Sequence, residues 1–91
     1  MKIEIEVRNF VELNKALAFG RVNRIMLDNF TPENTKKATE LINGRFEVES
    51  SGGITLKNVA DYAEAGVDFI SIGALTHHIK SLDLSLKAVL D

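Results

Sequence analysis

Four short apolar runs end at Glu6, Asp28, Ser50 and Ile72, each 22 residues after the one before. A helix-length stretch with its own start and stop signals lies inside each interval. One strand and one helix per interval make the strands parallel, because each helix returns the chain to begin the next strand in the same direction. All four carboxyl ends then share one edge, and in parallel α/β folds that edge is where ligands bind. The expected fold is α/β, a parallel (βα)4 unit equal to half of an open TIM-like barrel, since a full eight-fold barrel takes about 250 residues. Residues 1–91 form one unit on this reading. Bare parallel edges invite pairing, so the chain is expected to self-associate as a homo-oligomer that restores something close to a closed barrel.

Local signals support each step. Residues 2–8 read as a strand, with Ile3, Ile5 and Val7 alternating against Glu4 and Glu6. Asn9 can cap a first helix with Glu12 three residues on, and Gly20 stops it. Residues 24–27 form the second strand, ending at Asp28, and Thr31-Pro32-Glu33 opens a helix that Asn43-Gly44 closes. Residues 46–49 form the third strand. Thr55 caps a third helix carrying Leu56, Val59, Ala60, Tyr62 and Ala63, which Gly66 closes before the fourth strand at 68–72. Beyond Gly73-Ala74, Leu82, Leu84 and Leu86 alternate, and the pattern leaves both strand and helix open for that tail.

The chemistry concentrates at Glu49-Ser50-Ser51-Gly52-Gly53-Ile54-Thr55. Two successive glycines let the backbone approach an anion without an intervening side chain, and a following helix N-terminus supplies unpaired N–H groups and a favourable dipole. The bland alternative is a tight turn. Glu6, Asp28, Ser51, Gly52, Gly53 and Gly73 would converge from four elements on one mouth. Glu4 and Glu6 share a strand face and are either solvated or a functional pair, with Glu6 nearer the mouth. Asp28 is either a turn-former or a ligand for Mg²⁺ and sugar hydroxyls. Two carboxylates beside a phosphate seat suit a phosphosugar with Mg²⁺, because negative charge near an anomeric carbon stabilises an oxocarbenium-like state. Ser50 and Ser51 lack a partner base, which disfavours a serine nucleophile and leaves hydrogen bonding to an anion. Adjacent His77 and His78 point apart in either a strand or a helix, which disfavours joint chelation, and His77 is expected to pin the mouth loop.

Composition narrows the partners. A net charge of -2 and scattered Lys and Arg argue against nucleic acid, and no apolar run is long enough to span a membrane. With no cysteine there is neither a thiolate metal site nor a disulfide, and no signal region follows Met1, so a cytoplasmic location is expected. Arg24 and most other cations fall on helices or at strand beginnings, leaving Arg8 and Lys80 nearest the mouth. Backbone donors would therefore hold a phosphate.

Five ordered motifs carry a family likeness. Ile3-Glu4-Ile5-Glu6-Val7, Ile25-Met26-Leu27-Asp28-Asn29-Phe30, Glu49-Ser50-Ser51-Gly52-Gly53-Ile54-Thr55, Tyr62-Ala63-Glu64-Ala65-Gly66-Val67-Asp68 and Gly73-Ala74-Leu75-Thr76-His77 together resemble the quinolinate phosphoribosyltransferases, also called carboxylating nicotinate-nucleotide pyrophosphorylases. The resemblance implies the C-terminal half of that family's barrel domain, from an enzyme of NAD synthesis that converts quinolinate and phosphoribosyl pyrophosphate, with Mg²⁺, into nicotinate mononucleotide, pyrophosphate and carbon dioxide. By motif position, Glu6 and Asp28 are the acidic pair near ribose and metal. Ser51, Gly52, Gly53, Ser71 and Gly73 hold phosphate, and Glu49 and His77 support the site. The likeness covers no N-terminal domain or first barrel strands, which agrees with a chain opening inside a strand and with the few cations at the mouth. A unit of this kind is expected to bind a phosphoribosyl or phosphate ligand but to be inactive alone. The alternatives are a half-barrel scaffold without specific ligand binding and another phosphate-binding barrel enzyme, the latter disfavoured by the ordered motifs.

Overall fold

Asn9 leaves the first strand in an extended conformation, and its side chain accepts the Glu12 N–H at 2.8 Å while the Glu12 carboxylate accepts the Arg8 N–H at 2.8 Å. This reciprocal cap starts a helix at once after the strand. Thr31 does the same for the second helix, accepting the Asn34 N–H at 3.1 Å with Pro32 in the first turn. In a computed structural model describing residues 2–82, these signals yield β1 (Glu4–Val7), α1 (Phe10–Phe19), β2 (Arg24–Asp28), α2 (Pro32–Ile42), β3 (Glu47–Ser51), α3 (Val59–Glu64), β4 (Phe69–Ile72) and β5 (Leu75–His78), then a 3-10 turn, Ile79–Ser81. Leu84 and Leu86 of the alternating tail lie outside the described residues.

The sheet order is β1-β2-β3-β4-β5. The first four strands pair in parallel, as the 22-residue spacing requires, and β5 turns back antiparallel to β4. That return departs from the expected wholly parallel unit. Gly73, at φ +63, and Ala74 make a two-residue connection that aligns Ser71 with Thr76 and Ile72 with Leu75. Among the described residues the chain thus has three strand–helix units closed by a hairpin, and no helix follows β4.

Strand side chains sort cleanly by face. Val7, Ile25, Leu27, Val48 and Ile70 point one way and pack with Leu13 and Ala16 of α1, Ala38 and Ile42 of α2, and Val59 and Tyr62 of α3. Three crossovers stepping in one direction across the sheet put all three helices on that face. Burying each Leu or Ile there contributes roughly 1.5–3 kcal/mol before chain entropy is subtracted. Tyr62 adds a polar tie, its hydroxyl donating to the Phe30 carbonyl at 2.7 Å in the interior. The alternate strand residues form the opposite face, which no described helix covers.

Strands β1, β3 and β4 begin one or two residues later than expected, and two further boundaries bear on the rim. β3 runs on to Ser51 instead of ending at Glu49, because Ser50 and Ser51 pair with Leu27 and Asp28. α3 begins at Val59, not at Thr55. The Thr55 N–H donates to Asn58 Oδ1 at 2.8 Å and the Thr55 hydroxyl accepts the Lys57 N–H at 3.2 Å, so Thr55 caps a separate turn ahead of the helix.

Candidate functional site

The uncovered face of the sheet is a grid. Its row nearest the carboxyl rim holds Asp28 abreast of Ser51, with Ser71 abreast of Thr76 across the hairpin. One row down lie Glu6, Met26, Glu49, Phe69 and His78, and the base row holds Glu4, Arg24 and Glu47. The 22-residue interval is therefore a property of the chain and not of the rows. Glu6 sits level with Met26, one row beneath Asp28, which puts the two α-carbons about 8 Å apart on ideal strand spacings. Ser50 falls on the helix side, where it is buried and its hydroxyl has no hydrogen-bond partner.

At the rim, two loops touch. The Asn29 N–H donates to the Ser51 carbonyl at 2.9 Å, and Gly52 follows at φ +91. A β-carbon at Gly52 would stand 2.5 Å from Oδ1 of Asn29 and 2.9 Å from Oδ1 of Asp28, closer than real contacts allow. Only glycine fits there, both for its backbone and for the space. The Asp28 carboxylate thus stands close beside Gly52. Gly53, at φ +69, has nothing within 4 Å of where its β-carbon would stand, so its backbone faces open space. Gly73 lies at the same rim, in the β4–β5 turn.

Deeper in the grid, Glu49 is almost fully buried, yet its charge is met. Nη1 of Arg24 lies 3.1 Å from its Oε1 and the Ser71 hydroxyl donates to its Oε2 at 2.9 Å. Since that proton is committed, the Thr76 hydroxyl, 3.1 Å away, is the donor to Ser71. The Arg24 guanidinium also reaches Glu47 at 3.4 Å and lies 3.6 Å from the Phe69 ring centre. Burial, then the charge of Glu49 and a hydrogen bond with it, raise the pKa of Glu4, and Arg24 partly opposes the rise.

Of the residues singled out by sequence, Glu6, Asp28, Glu49, Ser51, Gly52, Gly53, Ser71 and Gly73 come together on this face and rim. His77 does not. It pairs with Ile70 and so points toward the helix layer, while His78 takes the open face, its ring edge-on to Phe69 with centroids 4.8 Å apart. The antiparallel return of β5 is the reason, since it carries the chain back down the sheet and away from the mouth. Arg24 departs in the opposite sense: expected far from the site, it reaches into the grid and is the counter-charge of Glu49. Its alternation with Met26 and Asp28 was the available signal. Asn29 was also missed, although an Asn directly after a strand-end Asp is the residue type that tolerates a left-handed backbone.

Mg²⁺ commonly uses one or two carboxylates together with substrate phosphates. Among the described residues no group of three or more His, Asp or Glu side chains converges as a ready chelate. The pair Glu6 and Asp28 fits the sparser mode. An acidic oxygen against the glycine backbone would repel a bare phosphate.

Comparison with known proteins places this geometry. The profile of the family described as quinolinate phosphoribosyl transferase, C-terminal domain, matches residues 1–87. The chain is 46% identical over 101 residues to the chloroplastic carboxylating nicotinate-nucleotide pyrophosphorylase of Arabidopsis thaliana, covering 96% of this chain and 29% of that protein. The crystal structure of nicotinate-nucleotide pyrophosphorylase from Ehrlichia chaffeensis superposes with a TM-score of 0.73 at 39% identity, covering 78% of this chain and 26% of that one. The enzyme of the same name from Francisella tularensis superposes with a TM-score of 0.72 at 44% identity, over 88% of this chain and 29% of that one. The chain spans less than a third of the length of each of these relatives.

Proposed function

The chain belongs to the quinolinate phosphoribosyltransferase family, matching its C-terminal domain, and from this premise we propose that it carries the phosphoribosyl-binding rim of an enzyme of NAD biosynthesis. On this reading the whole enzyme joins quinolinate to the ribosyl group of phosphoribosyl pyrophosphate, releasing pyrophosphate and carbon dioxide to leave nicotinate mononucleotide. The observation that carries it is the close approach of the Asp28 carboxylate to Gly52, which sets a carboxylate beside a glycine pair whose second member, Gly53, faces open space.

The residues divide the work. Backbone groups of Gly52, Gly53 and Gly73, with the hydroxyl of Ser51, hold phosphate oxygens. Asp28, with Glu6 a row beneath, would hold Mg²⁺ directly or through water, and the ion would supply positive charge to offset that of the pyrophosphate. Both carboxylates also favour positive charge developing at the ribose. Glu49, Ser71 and Thr76 keep the floor of the site in place through their hydrogen-bond chain. His77, on the other side of the sheet, acts only through packing of the hairpin. The six residues of α3, starting after a separate turn, lend less dipole to the rim than a long helix would. We further propose that the 91-residue chain is inactive alone, since among the described residues the uncovered face offers Arg24 as its only strand-borne guanidinium and that group is already paired. Copies of the chain associate through the β1 edge, which is unpaired among the described residues, in the direction of a half-barrel pairing.

Titration with pyrophosphate or ribose 5-phosphate, each with and without Mg²⁺, tests the reading by calorimetry. Saturable, Mg²⁺-dependent binding that Gly52→Glu abolishes is the expected result. Asp28→Asn should weaken the dependence on Mg²⁺. No binding at millimolar ligand would favour a scaffold that folds without a specific ligand, and turnover of quinolinate by the 91-residue chain would overturn the proposed inactivity.

A further inference from the structure

We infer that Asn29 is a positioning residue: it clasps the loops after β2 and β3 and so sets where the Asp28 carboxylate stands against the glycine pair. This rests on the reading of the rim as a phosphate and cation seat and adds to it the group that keeps the seat in shape. Two consecutive glycines have the most backbone freedom of any pair, so an ordered glycine seat must take its order from its neighbours. Asn29 is placed to supply it in three ways. Its backbone is left-handed, at φ +60, a conformation that Asn adopts more readily than most residues. Its N–H donates to the Ser51 carbonyl at 2.9 Å, tying the residue after β2 to the last residue of β3. Its side-chain amide occupies the space beside Gly52, with Oδ1 at 2.5 Å and Cγ at 2.9 Å from the position of an added β-carbon.

The clasp is itself anchored on both sides. Asp28 is held in register with Ser51 by the sheet. Phe30 is buried, its carbonyl accepting the Tyr62 hydroxyl at 2.7 Å and its ring edge-on to Phe10 with centroids 5.5 Å apart. Asn29 therefore cannot drift from the rim without disturbing a strand end or the core. The amide and the Asp28 carboxylate both meet the same glycine, so the amide limits how the glycine loop can turn and keeps the carboxylate at a fixed offset from it. Preorganisation of this kind removes ordering cost from ligand binding.

Asn29→Gly separates the side chain from the backbone, because glycine accepts φ +60 and keeps the N–H bond to Ser51. The expected result is a fold of nearly unchanged melting temperature in which the Gly52 and Gly53 amides shift and exchange with solvent faster. Affinity for Mg²⁺-pyrophosphate should fall about tenfold, the lower end of what loss of a supporting residue around a metal site costs. Asn29→Asp, of the same shape and tolerance for a left-handed backbone, should restore the exchange protection. The contact itself is checked by a double substitution. Gly52→Ala should destabilise less in the Asn29→Gly background than alone, because two of the three close approaches are then gone. Unchanged exchange at Gly52 and Gly53 in Asn29→Gly, or strict additivity of the two substitutions, would overturn the clasp. Absence of Mg²⁺-pyrophosphate binding to the unaltered chain would instead defeat the ligand reading, and the exchange and additivity measurements would still decide the role of Asn29.

Discussion

The pKa of Glu4, in the base row on β1, rises above its ordinary value of 4.5, first through burial and then through Glu49 of β3. A carboxyl with a raised folded-state pKa binds its proton more tightly folded than unfolded. Its contribution to stability is therefore fully present below pH 4.5 and is lost as the pH climbs through the raised value. Glu4→Gln, which is permanently neutral, should flatten the fall in stability across that window when urea midpoints are measured as a function of pH. At this scale the sequence was informative about single residues and blind to pairs. The alternation of Ile3, Ile5 and Val7 against Glu4 and Glu6 settles which side each side chain takes. It cannot say that Glu49 and Arg24 will be the neighbours, because that depends on how far β2 and β3 slide past β1.

Arg24 makes the same point for whole elements. Strands β2 and β3 are locked not only by their ladder but by a guanidinium from one against the buried carboxylate of the other. Arg24→Met removes the guanidinium that stands over Phe69 and faces Glu49, leaving the buried carboxylate without its counter-charge. Breaking a fully buried pair costs about 3–5 kcal/mol, and the partial exposure of Arg24 reduces that to about 1–3 kcal/mol. Denaturant unfolding at neutral pH should show this loss. Elements with strong end signals were legible: Asn9 and Gly20 bracket α1, and Thr31-Pro32 and Asn43 bracket α2. β5 was not, because Gly73-Ala74 reads equally as the end of a strand or as a two-residue turn. α3 was overextended for a related reason. Thr55 is a capping residue in both readings, and only the Asn58 side chain, bonded back to the Thr55 N–H and to the Gly53 carbonyl at 3.1 Å, converts the first turn into a separate one.

At the scale of the molecule, one face of the sheet is sealed by helices and the other presents Glu4, Glu6, Asp28, Glu47 and Glu49 against the single guanidinium of Arg24 among its described strand residues. The β1 edge, unpaired among the described residues, favours association of copies, while like charge on the open face opposes bringing two such faces together. Light scattering should therefore report a dimer whose share rises with added salt, which screens those carboxylates. A monomer at every salt concentration would leave an open sheet and remove the restored-barrel proposal. The order and direction of the four parallel strands followed from the sequence alone, because a helix between every two strands dictates direction whatever the contacts. So did the gathering of the acids and glycines at one edge, which is where strand ends must fall. Register, the reversal at β5 and the clasp between Asn29 and Gly52 were decided only in three dimensions. Each depends on which surfaces pack together across the sheet, and no local propensity encodes that distance.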